Sequence, residues 1–244
     1  MSNCYVLDIE FDYNGQRQQI YPVILEDENE LILIDCGYPQ FIPHLEEAAN
    51  RHQLSLASIT KLIVTHHDMD HIGSLAALKR AYPYIEIISH ELEKPYIEGK
   101  KKSLRLEQAE STLNEIPEAY RSSAEQFIQF LQSIETVGVD VSVSSAEVLP
   151  WCDGIEVVHT PGHMPGHISL YLAQTRTLIA ADAIVIEDGQ LNIANPQHAL
   201  DLDEAVKSVE ALLRYDINQL ICYHGGIFQG DIEEGLQQLI QKYK

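Results

Sequence analysis

The chain has 244 residues, enough for one domain with a substantial buried core, and sets 16 Lys and Arg against 37 Asp and Glu for a formal net charge of -21. A field of that sign repels polyanions, so a nucleic-acid partner is not expected. Met1-Ser2-Asn3-Cys4 lacks the basic and apolar segments of a leader, no apolar run approaches the ~20 residues of a membrane span, and Cys4, Cys36, Cys152 and Cys222 form no close pair; the expectation is a cytoplasmic protein with reduced thiols and no membrane contact.

The first third reads as strands over residues 5–11, 18–25 and 30–35, with turn signals at Tyr13-Asn14-Gly15 and Glu26-Asp27-Glu28-Asn29. A helix over 41–53 leads to the apolar run Lys61-Leu62-Ile63-Val64, which ends in Thr65-His66-His67-Asp68-Met69-Asp70-His71. In an extended segment His66 and Asp68 share a face, while Asp70 and His71 lie past the bend that opens a helix over 72–82. Two ligand pairs at that spacing suit two ions better than one. The plainer reading is a polar loop with Asp68 or Asp70 as the helix N-cap, and the segment alone does not separate the two.

After a strand over 85–89, residues 91–136 turn polar and helix-forming, with Pro95 and Pro117 as breaks. This stretch reads as an insertion forming one wall of a substrate cleft, with Leu104, Leu106 and Tyr96 as wall residues, or else as a dimerisation element. Its basic residues, Lys94, Lys100, Lys101, Lys102 and Arg105, read as a solvated helix face, with a binding site for an anionic substrate as the second reading. Strands over 155–158 and 168–173 bracket His159-Thr160-Pro161-Gly162-His163-Met164-Pro165-Gly166-His167, a rigid connection. A strand over 177–182 ends on Asp182, and helices over 202–215 and 232–242 flank Leu220-Ile221-Cys222-Tyr223-His224-Gly225-Gly226. Four separate strand ends thus each deliver His or Asp.

As an ordered set, Leu31-Ile32-Leu33-Ile34-Asp35-Cys36-Gly37, the His66 to His71 motif, Thr160-Pro161-Gly162-His163, Asp182 and His224 resemble the metallo-β-lactamase superfamily over nearly the whole chain. The resemblance implies a single α+β domain over 1–244, a four-layer αββα sandwich with the helical insertion at about 91–136. It also implies a dinuclear site in which His66, Asp68 and His163 hold one divalent ion, Asp70, His71 and His224 hold the other, and Asp182 bridges. Zinc is the first expectation for both ions. The family's usual motif is His-x-His-x-Asp-His, and Asp68 stands here where the second His is expected. Flavodiiron relatives carry Glu at that place and hold iron, and an added carboxylate suits iron or manganese, so these metals stay open.

What the resemblance implies chemically is a hydrolase that uses a metal-bridging hydroxide on a small ester, lactone or thioester, near the lactonase and glyoxalase II-like branches. Asp70 would carry the nucleophile's proton to the leaving group. Asp35 would accept a hydrogen bond from a ligand imidazole. Ala183-Ile184-Val185 lack the tyrosine that lactonases place after the bridging Asp, which leaves Tyr96 and Tyr223 as candidates for polarising the substrate. An iron redox protein or dioxygenase is the alternative from another class, and a phosphodiesterase ranks behind on charge. His67 is expected to face away from the ions. His167 reads as a partner of a ligand carboxylate or of the backbone, His159 as an ordinary strand-end residue, Cys222 as a small buried apolar group, and His44, His52, His90 and His198 as exposed.

Overall fold

In the computed structural model, which describes residues 2–13, 15–197 and 199–244, two six-stranded sheets face each other. The strands of the N-terminal half are β1 (Asn3–Val6), β2 (Ile9–Tyr13), β3 (Gln16–Ile20), β4 (Val23–Glu26), β5 (Leu31–Ile34), β6 (Lys61–Val64), β7 (Glu86–His90) and β8 (Val141–Val143). Those of the second half are β9 (Val148–Leu149), β10 (Ile155–His159), β11 (Ile168–Leu172), β12 (Thr177–Ala181), β13 (Val185–Glu187), β14 (Gln190–Asn192), β15 (Gln219–Cys222) and β16 (Gly226–Ile227). The sheet orders are β1-β4-β5-β6-β7-β8 and β16-β15-β12-β11-β10-β9, with β2-β3 and β13-β14 as separate hairpins.

Both sheets are covered on both faces, so their central strands carry apolar residues on both sides and the period of two sorts these side chains between two cores. Leu31 and Leu33 of β5 enter an outer core, whereas Ile32 and Ile34 enter the core between the sheets. In the second sheet Ile155, Val157, Ile168, Leu170, Ile179 and Ile221 face inward, and Val158, Tyr171, Leu178, Leu220 and Cys222 face outward. The first outer core is closed by α1 (Ile42–Arg51), α2 (Met69–Ile72) and α3 (Leu75–Ala81). Between β7 and β8 come α4 (Lys94–Ile97), α5 (Leu104–Thr112) and α6 (Glu118–Gln132), with a small core of Leu106, Ile128 and Leu131 packed on Met69. The far outer core is closed by α7 (Leu202–Leu212) and α8 (Ile232–Lys242), each started by an aspartate whose side chain accepts from the amide three residues on: Asp201 from Glu204, Asp231 from Glu234. The four layers and the insertion expected from the sequence are present. No helix among the described residues is long and apolar enough to cross a membrane.

Three sequence-based elements divide. The expected strand over 5–11 becomes β1, paired with β4, and β2, paired with β3. That over 18–25 breaks before β4 at Tyr21-Pro22, where proline has no N–H for a ladder and its carbonyl instead accepts from the Leu7 amide at 2.8 Å. The helix over 72–82 splits at Gly73-Ser74, where a Cβ on Gly73 would lie 2.3 Å from the Pro39 nitrogen and the Ser74 hydroxyl donates to the Tyr38 carbonyl at 2.7 Å. Of the turn at residues 13–15, Asn14 lies outside the described residues.

That close approach is rigid because the obstructing atoms are backbone. Gly73→Ala should lower unfolding free energy by about 2 to 3 kcal/mol, whereas Gly138→Ala, with nothing within 4 Å of its added Cβ, should stay close to the parent. Urea midpoints for the two variants that coincide would refute the packing argument.

Candidate metal centre

The carboxyl ends of β5, β6, β12 and β15 meet at one rim, and each leads into a loop bearing His or Asp. The backbone of Asp68 remains extended (φ -72°, ψ 152°), so His66 and Asp68 keep a common side and approach to 3.7 Å between Nε2 and Oδ2. Asp68 occupies the N-cap position of α2 without capping it, because its carboxylate points into the centre. Asp70 and His71 follow in the first turn, which is why they reach a different place from His66. The loop between β10 and β11 brings His163 to the same rim. Gly162 at φ +128° permits the turn, and any Cβ there would strike the backbone of Ala205 at 2.2 Å.

Two clusters result, with Asp182 between them. In the first, Asp68 Oδ2 lies 3.0 Å from His163 Nε2. In the second, Asp70 Oδ2 lies 3.1 Å from His224 Nε2 and 3.7 Å from His71 Nε2. Asp182 reaches His71 at 3.4 Å, His224 at 3.6 Å and His163 at 3.8 Å. The ligand atoms of His66, Asp68 and His163, of His66, His71 and Asp182, and of Asp70, His71 and His224 form groups within 4.8 Å of one another. The residues fit a cation, because His66 Nε2, His71 Nε2 and Asp182 Oδ1 are buried without a hydrogen-bond partner, and such atoms are costly unless something satisfies them. All seven residues named from the motif are therefore gathered at one rim.

The surrounding groups fix tautomers. Asp35, itself at φ 59°, accepts from the Thr65 amide at 2.9 Å and hydroxyl at 2.7 Å, and from His71 Nδ1 at 2.8 Å, which turns His71 Nε2 toward the centre as the sequence reading expected. His167 accepts the Asp182 amide on Nε2 at 3.1 Å and bonds Thr160 through Nδ1 at 2.9 Å, so it supports backbone and is not a ligand. Burial and the nearby His66 and His163 push its pKa well below the ordinary histidine value. For His71, burial opposes a proton, yet Asp35, Asp70 and Asp182 raise the pKa well above the ordinary value. For His224, burial again opposes and Asp182 and Asp70 win, so its pKa is also raised.

Two residues were not singled out by the sequence. Glu93, fully buried, bonds the His67 ring and accepts from the amides of His67 at 2.9 Å and Gly166 at 2.8 Å, clamping the two ligand loops together. Arg105 corrects the solvated-face reading: it is only 7% exposed, and its Nε and Nη2 donate to Asp68 Oδ1 and Oδ2 at 3.1 and 2.6 Å. Asp68 therefore does not add an uncompensated charge to the ligand set. The expected substrate tyrosines are also corrected. The Tyr223 hydroxyl is buried and donates to the Asp70 carbonyl at 2.6 Å, and Tyr96 stacks on His67 with ring centroids 4.4 Å apart. Tyr96 and Leu106 line a neighbouring cavity, so of the insertion it is Arg105 and Phe127, not Leu104 or Leu106, that reach the cleft above the centre. His67 is turned away from the ligand cluster but buried, and Leu104 donates its amide to His67 Nε2 at 3.3 Å. His90 is buried and stacks on His159 at 4.5 Å, contrary to an exposed position; His44 is exposed, His52 half-buried, and His198 lies outside the described residues.

Comparison with known proteins gives the following. The family model described as "Metallo-beta-lactamase superfamily" matches residues 15–224. The probable metallo-hydrolase YflN of Bacillus subtilis (strain 168) is 25% identical over 229 residues, covering 86% of this chain and 81% of that protein. A hydroxyacylglutathione hydrolase of Mesorhizobium japonicum is 27% identical over 126 residues, 51% of this chain and 34% of that enzyme. A metallo-beta-lactamase family protein of Thermus thermophilus shares the fold with a TM-score of 0.71, at 18% identity over 98% of this chain and 79% of its own.

Two outcomes follow from the electrostatics. An ion at this rim displaces protons from His71 and His224, whose pKa values are raised, so apparent zinc affinity should fall about tenfold per pH unit for each proton released as pH drops below neutrality. Chelator competition at several pH values measures this, and a flat profile would contradict it. Burial works against the Glu93 carboxylate, but His67 and the Gly166 amide hold its pKa below the usual glutamate value. A lowered carboxyl pKa stabilises above the unfolded value and loses that contribution as pH falls through the folded one. Glu93→Gln should thus cost about 1.5 to 3 kcal/mol at pH 7, and the deficit should shrink in denaturation series taken below about pH 4.5. A pH-independent deficit would argue against the charged clamp.

Proposed function

This chain belongs to the metallo-β-lactamase superfamily, and from that membership we propose that it is a hydrolase using two divalent ions, zinc first, on a small uncharged ester, lactone or thioester. The observation that carries the proposal is a cleft of about 470 Å³ whose floor holds Asp68, Asp70, His163, Asp182 and His224 and whose mixed walls set Met69, Phe127, Val185 and Ile186 beside Gln18, Arg105 and Glu187. Polar groups converging on the floor, with apolar side chains over part of the wall, suit a small acyl compound. The formal charge of -21 speaks against polyanions. Similarity to a hydroxyacylglutathione hydrolase supports including thioesters.

Bound ions would supply Lewis acidity toward a carbonyl oxygen and acidify a water molecule. Asp70 is the residue placed to take up that water's proton. Burial disfavours its charge, but His71 and His224 hold its pKa below the ordinary aspartate value, so it is an ionised acceptor at neutral pH. His224 Nε2, 3.1 Å from Asp70 Oδ2, orients the carboxylate, and the Tyr223 hydroxyl anchors the backbone carbonyl of Asp70. From the cleft floor the same carboxyl group can return the proton to the leaving oxygen or sulfur. The iron-redox alternative draws on extra negative charge at Asp68, and Arg105 takes up that charge. The protein works on a small molecule in a reducing compartment, its four cysteines free and three of them buried.

Lactones, aryl esters and thioesters assayed beside a phosphodiester and a short RNA test this reading. At least one acyl compound should be turned over faster than either nucleic-acid-type substrate, and the reverse order would overturn it. Asp70→Asn should reduce kcat by about 10² to 10⁴ with a much smaller change in KM.

A further inference from the structure

The two ion positions differ in the charge already built into them. Around His66, Asp68 and His163 the one carboxylate not shared with the other position, Asp68, is matched by the guanidinium of Arg105, which grips both its oxygens and places Nη2 3.4 Å from His163 Nε2, while Asp182 lies between the positions, 3.8 Å from His163. With neutral imidazoles, as ligands must be, that position has no net charge of its own beyond its share of Asp182. Around His71 and His224 stands Asp70, with no cationic side chain among the described residues matched to it, together with Asp182, which lies nearer His71 and His224 than His163, so this position is negative by between one and two units. A divalent ion is largely neutralised there, whereas in the first position it brings a buried excess of positive charge beside a guanidinium.

Arg105 is not a surface side chain that happens to lie nearby. Leu104 before it is tied by its amide to His67 Nε2 at 3.3 Å, and Leu106 after it is packed on Ile128, Leu131 and Met69. Nη1 donates to Gln108 Oε1 at 2.7 Å, one turn further along α5. The Asp68 oxygen that takes Nη2 is also the one facing His66 and His163, so an ion and Arg105 contend for one atom.

Building on the hydrolase reading, we propose that Arg105 makes the metal centre unequal: its guanidinium supplies at the His66, Asp68 and His163 position the charge a second ion would bring, so the chain holds one divalent ion tightly at Asp70, His71, Asp182 and His224 and another only weakly. Arg105 acts here through Asp68 as a positioning residue.

Zinc and cobalt titrations of chelator-stripped protein, with elemental analysis after dialysis, decide this. The parent chain should bind one equivalent tightly and a second at least about 100-fold more weakly. Arg105→Gln should bind two equivalents, its second affinity improved at least about tenfold, with cobalt absorbance continuing to rise to two equivalents. Arg105→Lys, which keeps the charge, should stay with one. Two ions of similar affinity in the parent would overturn the inference and leave the hydrolase reading intact, whereas no tightly bound ion would sink both. One equivalent in a folded Arg105→Gln would also overturn it. Should that variant fail to fold, Arg105→Met keeps the aliphatic stem and replaces it, and the parent titration alone still counts against the inference if both ions bind alike.

Discussion

Burying an ionised carboxylate without a partner costs several kcal/mol, and this fold buries Asp35, Asp68, Asp70, Glu93 and Asp182 around one rim of its sandwich. The arrangement survives because each has an assigned counterpart. Asp35 receives Thr65 and His71, Glu93 receives His67 and Gly166, and Asp68 receives Arg105 and His163. Asp70 and Asp182 are left with imidazoles alone, and Asp182 Oδ1 has no hydrogen-bond partner. The two carboxylates whose only partners are imidazoles with displaceable protons are thus those that share His71 and His224, which is where a cation gains most.

Delivering those carboxylates requires backbone that strands do not ordinarily adopt. Asp35 and Ala181 both have positive φ, 59° and 48°, directly after β5 and at the end of β12. Side chains there cost of order 1 kcal/mol or more and persist only where neighbours hold them. Beside Ala181 the pairing of β12 with β15 shifts register, and a bulge of this kind re-aims the next side chain, here Asp182. His167 fixes the result by accepting the Asp182 amide. A histidine in the second motif is therefore spent on backbone geometry, and that accounts for why His163 offers its ring to the cluster while His167 does not.

Most of the rim was legible in the sequence because strand ends are local signals. An apolar run closing on His or Asp names both the strand and the residue it presents, and period-two logic placed His66 with Asp68 and His67 opposite them. Arg105 and Glu93 were not legible for the same physical reason. Their partners lie 37 and 26 positions away, and what brings them together is the packing of Leu106 on Met69 and the meeting of two loops. Within a Lys-rich stretch, an arginine that turns inward has the same local signature as one that turns out. The broken strands and helix at the N-terminal end were missed because Pro22 and Gly73 act through what sits beside them in space. His90 was missed likewise, since only the neighbouring strand reveals its stack on His159.

The insertion ties the charge balance to the shape of the cleft. α5 contributes Arg105 to that balance, its amide at Leu104 to His67, and Leu106 to a core that also holds Met69 of the motif, while α6 contributes Phe127 to the cleft wall. A side chain that moves α5 would alter the orientation of Asp68 and the width of the cleft in one step. Through Arg105, which both grips Asp68 and lines the cleft, α5 ties the orientation of Asp68 to the shape of the cleft, without any residue of that helix needing to be a ligand. The sheets supply a fixed ligand frame, and the helical segment between β7 and β8 sets how much positive charge that frame still has room to accept.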